Sequence, residues 1–149
     1  MCIIIDNDVV ASVFSDSGAQ YEEVRVRLFD NVSSPLSLVY ESRLIDEYKD
    51  NPNRNVIRSL YKLAQAQRAV EVGGRKLARE RQWVSQKSLK SNDDHIIALA
   101  RASGARVLLS NDRDLWDDFR NNKLLSRPPG RIYRKRAHSH LLRSCQSRA

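Results

Sequence analysis

Carboxylates that close apolar runs are the residues of this chain best equipped for chemistry. Met1-Cys2-Ile3-Ile4-Ile5 leads into Asp6-Asn7-Asp8, and Val107-Leu108-Leu109 leads into Ser110-Asn111-Asp112-Arg113-Asp114. Runs this short and this apolar suit parallel strands buried on both faces. In an open parallel sheet, ligands bind beyond the carboxyl ends of the strands. If the two strands are central neighbours, Asp6 and Asp112 meet there, with Asp8 and Asp114 beside them. Like charges so placed repel unless a cation joins them, which makes a divalent metal the economical reading. Mg2+ or Mn2+ suits an all-oxygen donor set of this kind.

The elements that must position these acids follow from periodicity and punctuation. Asp94 lies at the start of a helix capped by Ser91 or Asn92, with Ile96, Ile97, Leu99 and Ala100 at helical spacing. Gly104 supplies the positive φ that ends it. Ser91-x-x-Asp94 also resembles a capping box, so a purely structural role for Asp94 stands beside the ligand role. Earlier in the chain, helices are predicted from Asp8 to Phe14 and over residues 21–29, then a strand over residues 36–40. A helix over 41–49 turns Leu44, Ile45 and Tyr48 inward. Residues 54–72 form the longest helical pattern, stopping at Gly73-Gly74, and residues 75–82 read as helical too. The stretch 83–90 is open between a short edge strand at Trp83-Val84 and a loop. Residues 114–120 give a short amphipathic helix, and residues 131–134 a last strand. Strands alternating with helices predict an α/β fold with a mostly parallel sheet and right-handed crossovers.

Length and charge narrow the possibilities. At 149 residues the chain suits one compact domain. A formal charge of +8 and a pI near 9.9 favour a polyanionic partner. The first third is rich in acids, the middle carries Arg54, Arg75, Lys76 and Arg79 among other cations, and from Lys123 onward every charged residue is basic. An acidic metal pocket rimmed by basic surface is what a phosphodiester substrate needs. Arg54, Arg75, Lys76, Arg79 and Arg113 are therefore candidate substrate contacts. Ser110 is another, with simple strand-end capping as its equal alternative. No apolar run reaches membrane-spanning length, and the acid straight after the apolar start does not fit a secretory signal, so a cytoplasmic protein is expected. Cys2 and Cys145 stand near opposite ends of the chain and fit free thiols. His95 reads as structural or exposed, since imidazole is not a preferred partner of Mg2+. Asp117 and Asp118 read as solvated.

From Met1 to Arg134 these features resemble the PIN-domain family of metal-dependent nucleases, which includes many bacterial toxin ribonucleases. The family's opening looks like Ile3-Ile4-Ile5-Asp6-Asn7-Asp8-Val9-Val10-Ala11-Ser12, with Asp8 where the family usually has Asn. Its second acid is matched by Glu47 in Arg43-Leu44-Ile45-Asp46-Glu47-Tyr48. The helix phase favours Glu47 over Asp46, because Glu47 lies nearer the side of Leu44. The third acid is similar to Asp94 in Asp94-His95-Ile96-Ile97-Ala98-Leu99-Ala100, and the fourth to Asp112 in Ser110-Asn111-Asp112-Arg113-Asp114.

The resemblance implies a three-layer α/β/α fold on a four- to five-stranded, mostly parallel sheet over residues 1–136, with 137–149 as a basic tail. It implies Asp6, Glu47, Asp94 and Asp112 as the catalytic set holding Mg2+ or Mn2+, with Asp8 and Asp114 as further ligands. The reaction would be hydrolysis of RNA to a 5′-phosphate and a 3′-hydroxyl. The expected partners are RNA, an inhibitory antitoxin protein and a second copy of the chain. Two other classes fit some of the same residues. Ile5-Asp6-Asn7-Asp8-Val9 also matches the start of aspartate-nucleophile phosphatases, which would leave Glu47 and Asp94 idle, and a non-catalytic module would use the basic surface alone.

Overall fold

The computed structural model describes residues 3–15, 18–30, 32–33 and 35–145, with side chains as far as Leu142. Cys2 and residues 146–149 of the basic tail lie outside the described residues, as does the side chain of Cys145. The sheet has five strands, β1 (Ile3–Ile5), β2 (Leu38–Tyr40), β3 (Ala69–Glu71), β4 (Val107–Leu109) and β5 (Arg131–Ile132). They run in the order β3-β2-β1-β4-β5, and every pairing is parallel. Successive side chains on a strand face opposite sides of a sheet. All three residues of β1, β2 and β4 are nevertheless buried, so both faces of the sheet are covered.

The covering helices are α1 (Asn7–Phe14), α2 (Glu22–Phe29), α3 (Ser42–Lys49), α4 (Asn55–Gln65), α5 (Gly74–Ser85), α6 (Asp94–Ser103) and α7 (Arg113–Arg120), and the tail enters a 3-10 segment, Arg136–Cys145. This is the three-layer α/β/α arrangement anticipated for the fold. None of the helices is long and apolar enough to cross a membrane.

Two elements differ from the sequence reading. Residues 54–72 are not one helix, because α4 stops at Gln65 and the chain enters strand β3 at Ala69. The stop is a Schellman turn: the Arg68 amide donates to the Leu63 carbonyl at 2.8 Å and the Gln67 amide to the Ala64 carbonyl at 3.1 Å. Gln67 holds the left-handed position at φ 60°, where glycine would have announced the end. Trp83 and Val84 belong to neither strand nor loop, since α5 continues to Ser85. The Trp83 ring is stacked by Arg101, 3.6 Å from its centroid, and by Lys87 at 4.4 Å. As anticipated, Gly104 closes α6 in the left-handed region at φ 82°.

Candidate metal centre

Strand β1 lies between β2 and β4, and the chain moves outward from it in both directions, so a crevice forms at the carboxyl ends of β1 and β4. Ile5 is in register with Leu109, and the Asp6 amide donates to the Leu109 carbonyl at 2.8 Å. Asp6 and Ser110 are therefore side by side where the two strands end. Asp6 is 6% exposed and hydrogen-bonded at both oxygens: Oδ1 accepts from the Asn7 amide and Oδ2 from the Ser110 hydroxyl, each at 2.8 Å. Ser110 also accepts from the Asp112 amide at 3.0 Å. Its proton is thus directed at Asp6, as the strand-end role expects. Trp116 Nε1 donates to the Ser110 carbonyl at 2.7 Å and braces the same turn from α7.

Asp112 caps α7, accepting from the amides of Asp114 at 3.0 Å and Leu115 at 3.3 Å. Asp8 is exposed and accepts from the Asn111 amide at 3.0 Å, linking the two loops. Glu47 arrives from α3, which is tied to the end of β1 by the buried Tyr48 hydroxyl donating to the Ile5 carbonyl.

The acids act on one another electrostatically. Burial, then Asp8 and Asp112, push Asp6 up to about 6 against the lowering effect of its hydrogen bonds. Burial, then Asp6 and Asp93, push Glu47 up to about 7. Asp93 is pushed up to about 6 by burial, by Asp6 and by a hydrogen bond to Asp112. Asp8, though exposed as a residue, is raised too, first by loss of solvent around its carboxyl and then by Asp112.

Asp93 is the participant that sequence reasoning missed. It is the N-cap residue of α6, whereas Asp94 is the first residue of the helix and accepts from Arg43. The Asp94 Oδ1 atom lies 3.1 Å from Arg43 Nη1, with both side chains about half exposed at 52% and 53%. Asp94 faces a cleft of about 350 Å³ that it shares with Ser42, Arg43, Asp46, Arg81 and His95. The structure therefore brings Asp6, Asp8, Glu47, Asp93 and Asp112 together and leaves Asp94 outside. The physical reason is a helix start two residues later than a Ser91 cap would give. Ser91 instead donates its hydroxyl to Asp118 at 2.7 Å, and Asp was itself a good N-cap candidate at position 93.

Asp118, read as solvated, is a buried organiser of this approach, accepting from the amides of Lys90 and Ser91 at 2.9 Å each. Asp117 is at the surface, paired with Lys90 at 3.2 Å. Asp114 is exposed, as are Arg54, Arg75, Lys76, Arg79 and Arg113, and none of these five cations is ion-paired among the described residues.

His95 is buried at 3% exposure, next to Glu47. Its Nε2 stands 3.0 Å from Glu47 Oε1, yet neither ring nitrogen makes a well-directed hydrogen bond. Burial, then Arg43, lower it to about 4, so the ring is neutral at physiological pH.

A cluster of carboxylates that must gain protons as they approach suits a hard divalent cation, which replaces those protons and accepts oxygen donors from four separate elements. Placement predicts an order of effects. Asp93→Asn should weaken Mn2+ binding more than about tenfold, while Asp94→Asn, losing only a screened surface pair, should change it less than about threefold. Calorimetric titration of both variants checks this, and the reverse order would overturn the placement.

No curated protein matches the chain. The family model described as PIN domain matches residues 3–121, a span that contains every acid of this cluster. The domain is in general that of a metal-dependent nuclease, a use the converging carboxylates suit. By that match, over most of its length, the chain belongs to the PIN-domain family.

Proposed function

We propose that the chain is a divalent-metal-dependent endoribonuclease, cleaving RNA to leave a 5′-phosphate and a 3′-hydroxyl. The observation that carries this reading is the convergence of Asp6, Glu47, Asp93 and Asp112, from four elements, on one sheet edge with carboxyl pKa values driven upward. These four would hold the cation. When bound, a divalent cation lowers the pKa of a water molecule and offsets charge building on the phosphoryl group.

The chain's own residues prepare the site for that use. Ser110 and the Asn7 amide fix the Asp6 carboxylate, and the first turn of α7 fixes that of Asp112. Arg75, Lys76 and Arg79 project from the start of α5, which follows the carboxyl end of β3 and so begins at the same edge as the acids. Arg113 stands directly beside Asp112. Exposed and unpaired, these cations can hold backbone phosphates while the acids address one of them. A phosphatase reading leaves Glu47 and Asp93 without a part, although both converge on Asp6.

The test is incubation of RNA and DNA oligomers and of a small phosphomonoester with Mg2+ or Mn2+, with chelator controls. Cleavage of RNA, abolished by chelation, is expected. Hydrolysis of the monoester alone would sink the reading.

Melting curves give a second check with a defined sign. Asp6, Glu47 and Asp93 have folded pKa values above their unfolded ones, so the folded state binds more protons. The stability they contribute is complete below about pH 4 and is lost as pH rises through about 6 to 7. Metal-free protein should therefore melt lower at pH 7.5 than at pH 5.5. At 100 times its Kd, Mn2+ should restore about 2.7 kcal/mol, or about 5 to 10 °C.

A further inference from the structure

We propose that His95 joins Glu47 and Asp93 in a mixed nitrogen–oxygen metal position that prefers Zn2+ to Mg2+. One donor atom from each of the three residues lies within 4.8 Å of the others. Ligands about 2.0–2.2 Å from a tetrahedral ion stand roughly 3.5 Å apart, so a small inward movement of the side chains closes the set on one cation. The imidazole supplies the independent sign of a ligand. It is 3% exposed, its Nε2 lies 3.0 Å from Glu47 Oε1, and its nitrogens lack the directed hydrogen bonds that a buried polar ring normally has.

Arg43 is the nearest opposing charge, with Nε 4.0 Å from Glu47 Oε1, but Asp94 draws its guanidinium outward at 3.1 Å. A nitrogen donor adds little for Mg2+, which keeps hard oxygen ligands and waters, and much for a borderline ion such as Zn2+. Three protein ligands also leave a position open on a tetrahedral ion. The inference rests on the metal-binding part of the reading above, since Glu47 and Asp93 belong to both.

Imidazole nitrogen NMR of the wild-type protein tests it without relying on activity. One equivalent of Zn2+ should shift the His95 ring nitrogens, while Mg2+ leaves them in place. A Zn2+ shift confined to His138 and His140, or no shift at all, would overturn the inference. In calorimetry, His95→Gln should lose about tenfold to a hundredfold in Zn2+ affinity while Mg2+ affinity stays within about twofold. Equal losses for both ions, or none for either, would overturn it as well. Mg2+-dependent RNA cleavage by a protein whose His95 ignores Zn2+ would leave the nuclease reading intact and remove only this proposal. Absence of RNA cleavage beside a Zn2+-responsive His95 would do the opposite.

Discussion

Replacing Asp6 by Asn should reduce cleavage of an RNA oligomer by at least about 10³-fold, equivalent to about 4 kcal/mol of lost transition-state stabilisation, and should leave the fold intact. Asp6 is the most buried carboxylate of the cluster, at 6% exposure, and its charge bears on Glu47, Asp93 and Tyr48. Removing that charge would remove an oxygen donor of the proposed site and relieve part of the repulsion on its neighbours. The amide fits the same space. Its oxygen can accept from the Asn7 amide, and its nitrogen can donate to Ser110 Oγ, which then redirects its own proton. Because a buried like charge has gone, the metal-free variant should melt at or above the wild-type temperature at pH 7.5, and the Mn2+-induced rise should shrink. Cleavage rates at saturating metal, together with melting curves with and without Mn2+, check both halves. Activity within tenfold of wild type would remove Asp6 from the chemistry.

How far the sequence could reveal this site depends on what each residue's signal rests on. Asp6 and Asp112 were legible because an acid directly after an apolar run has one place to go once the run is a buried parallel strand. Glu47 was legible from the inward face of its helix, which Tyr48 pins to β1. The third acid was harder. Asp93 and Asp94 are adjacent and chemically identical, and choosing between them requires the helix start to within one residue, where propensity carries little information.

Asp118 illustrates a different limit. Five charged residues in Arg113–Arg120 suggest a solvated face, but the amides of Lys90 and Ser91 that bury one of them come from a loop more than 25 residues away in sequence. The missed strand β3 shows the same locality from the other side. A helix stop made by Gln67 leaves no mark in composition, and only the pairing of Leu38, Val39 and Tyr40 with Ala69, Val70 and Glu71 turns that segment into a strand.

Gly130→Ala should be the most damaging small substitution outside the acids, lowering stability by about 3 kcal/mol or more and the melting temperature by about 10 °C. A Cβ at Gly130 would lie 1.9 Å from the Phe119 carbonyl oxygen and 2.6 Å from its Cδ1. The first of these is backbone at the end of α7, and the ring is fully buried, so neither can turn aside. The obstruction reaches the site through α7 itself. That helix begins on the Asp112 carboxylate, holds Ser110 through Trp116, and anchors through Asp118 the loop that delivers Asp93. Pushing Phe119 away should therefore weaken Mn2+ binding as well as the fold. Gly73→Ala provides the contrast, since no heavy atom lies within 4 Å of its added Cβ and its φ is extended, and it should change stability by less than about 1 kcal/mol. Thermal melts of the two variants, followed by Mn2+ titration of whichever remains folded, decide the matter. A Gly130→Ala protein as stable as Gly73→Ala would show that α7 and β5 do not pack as closely as the structure has them.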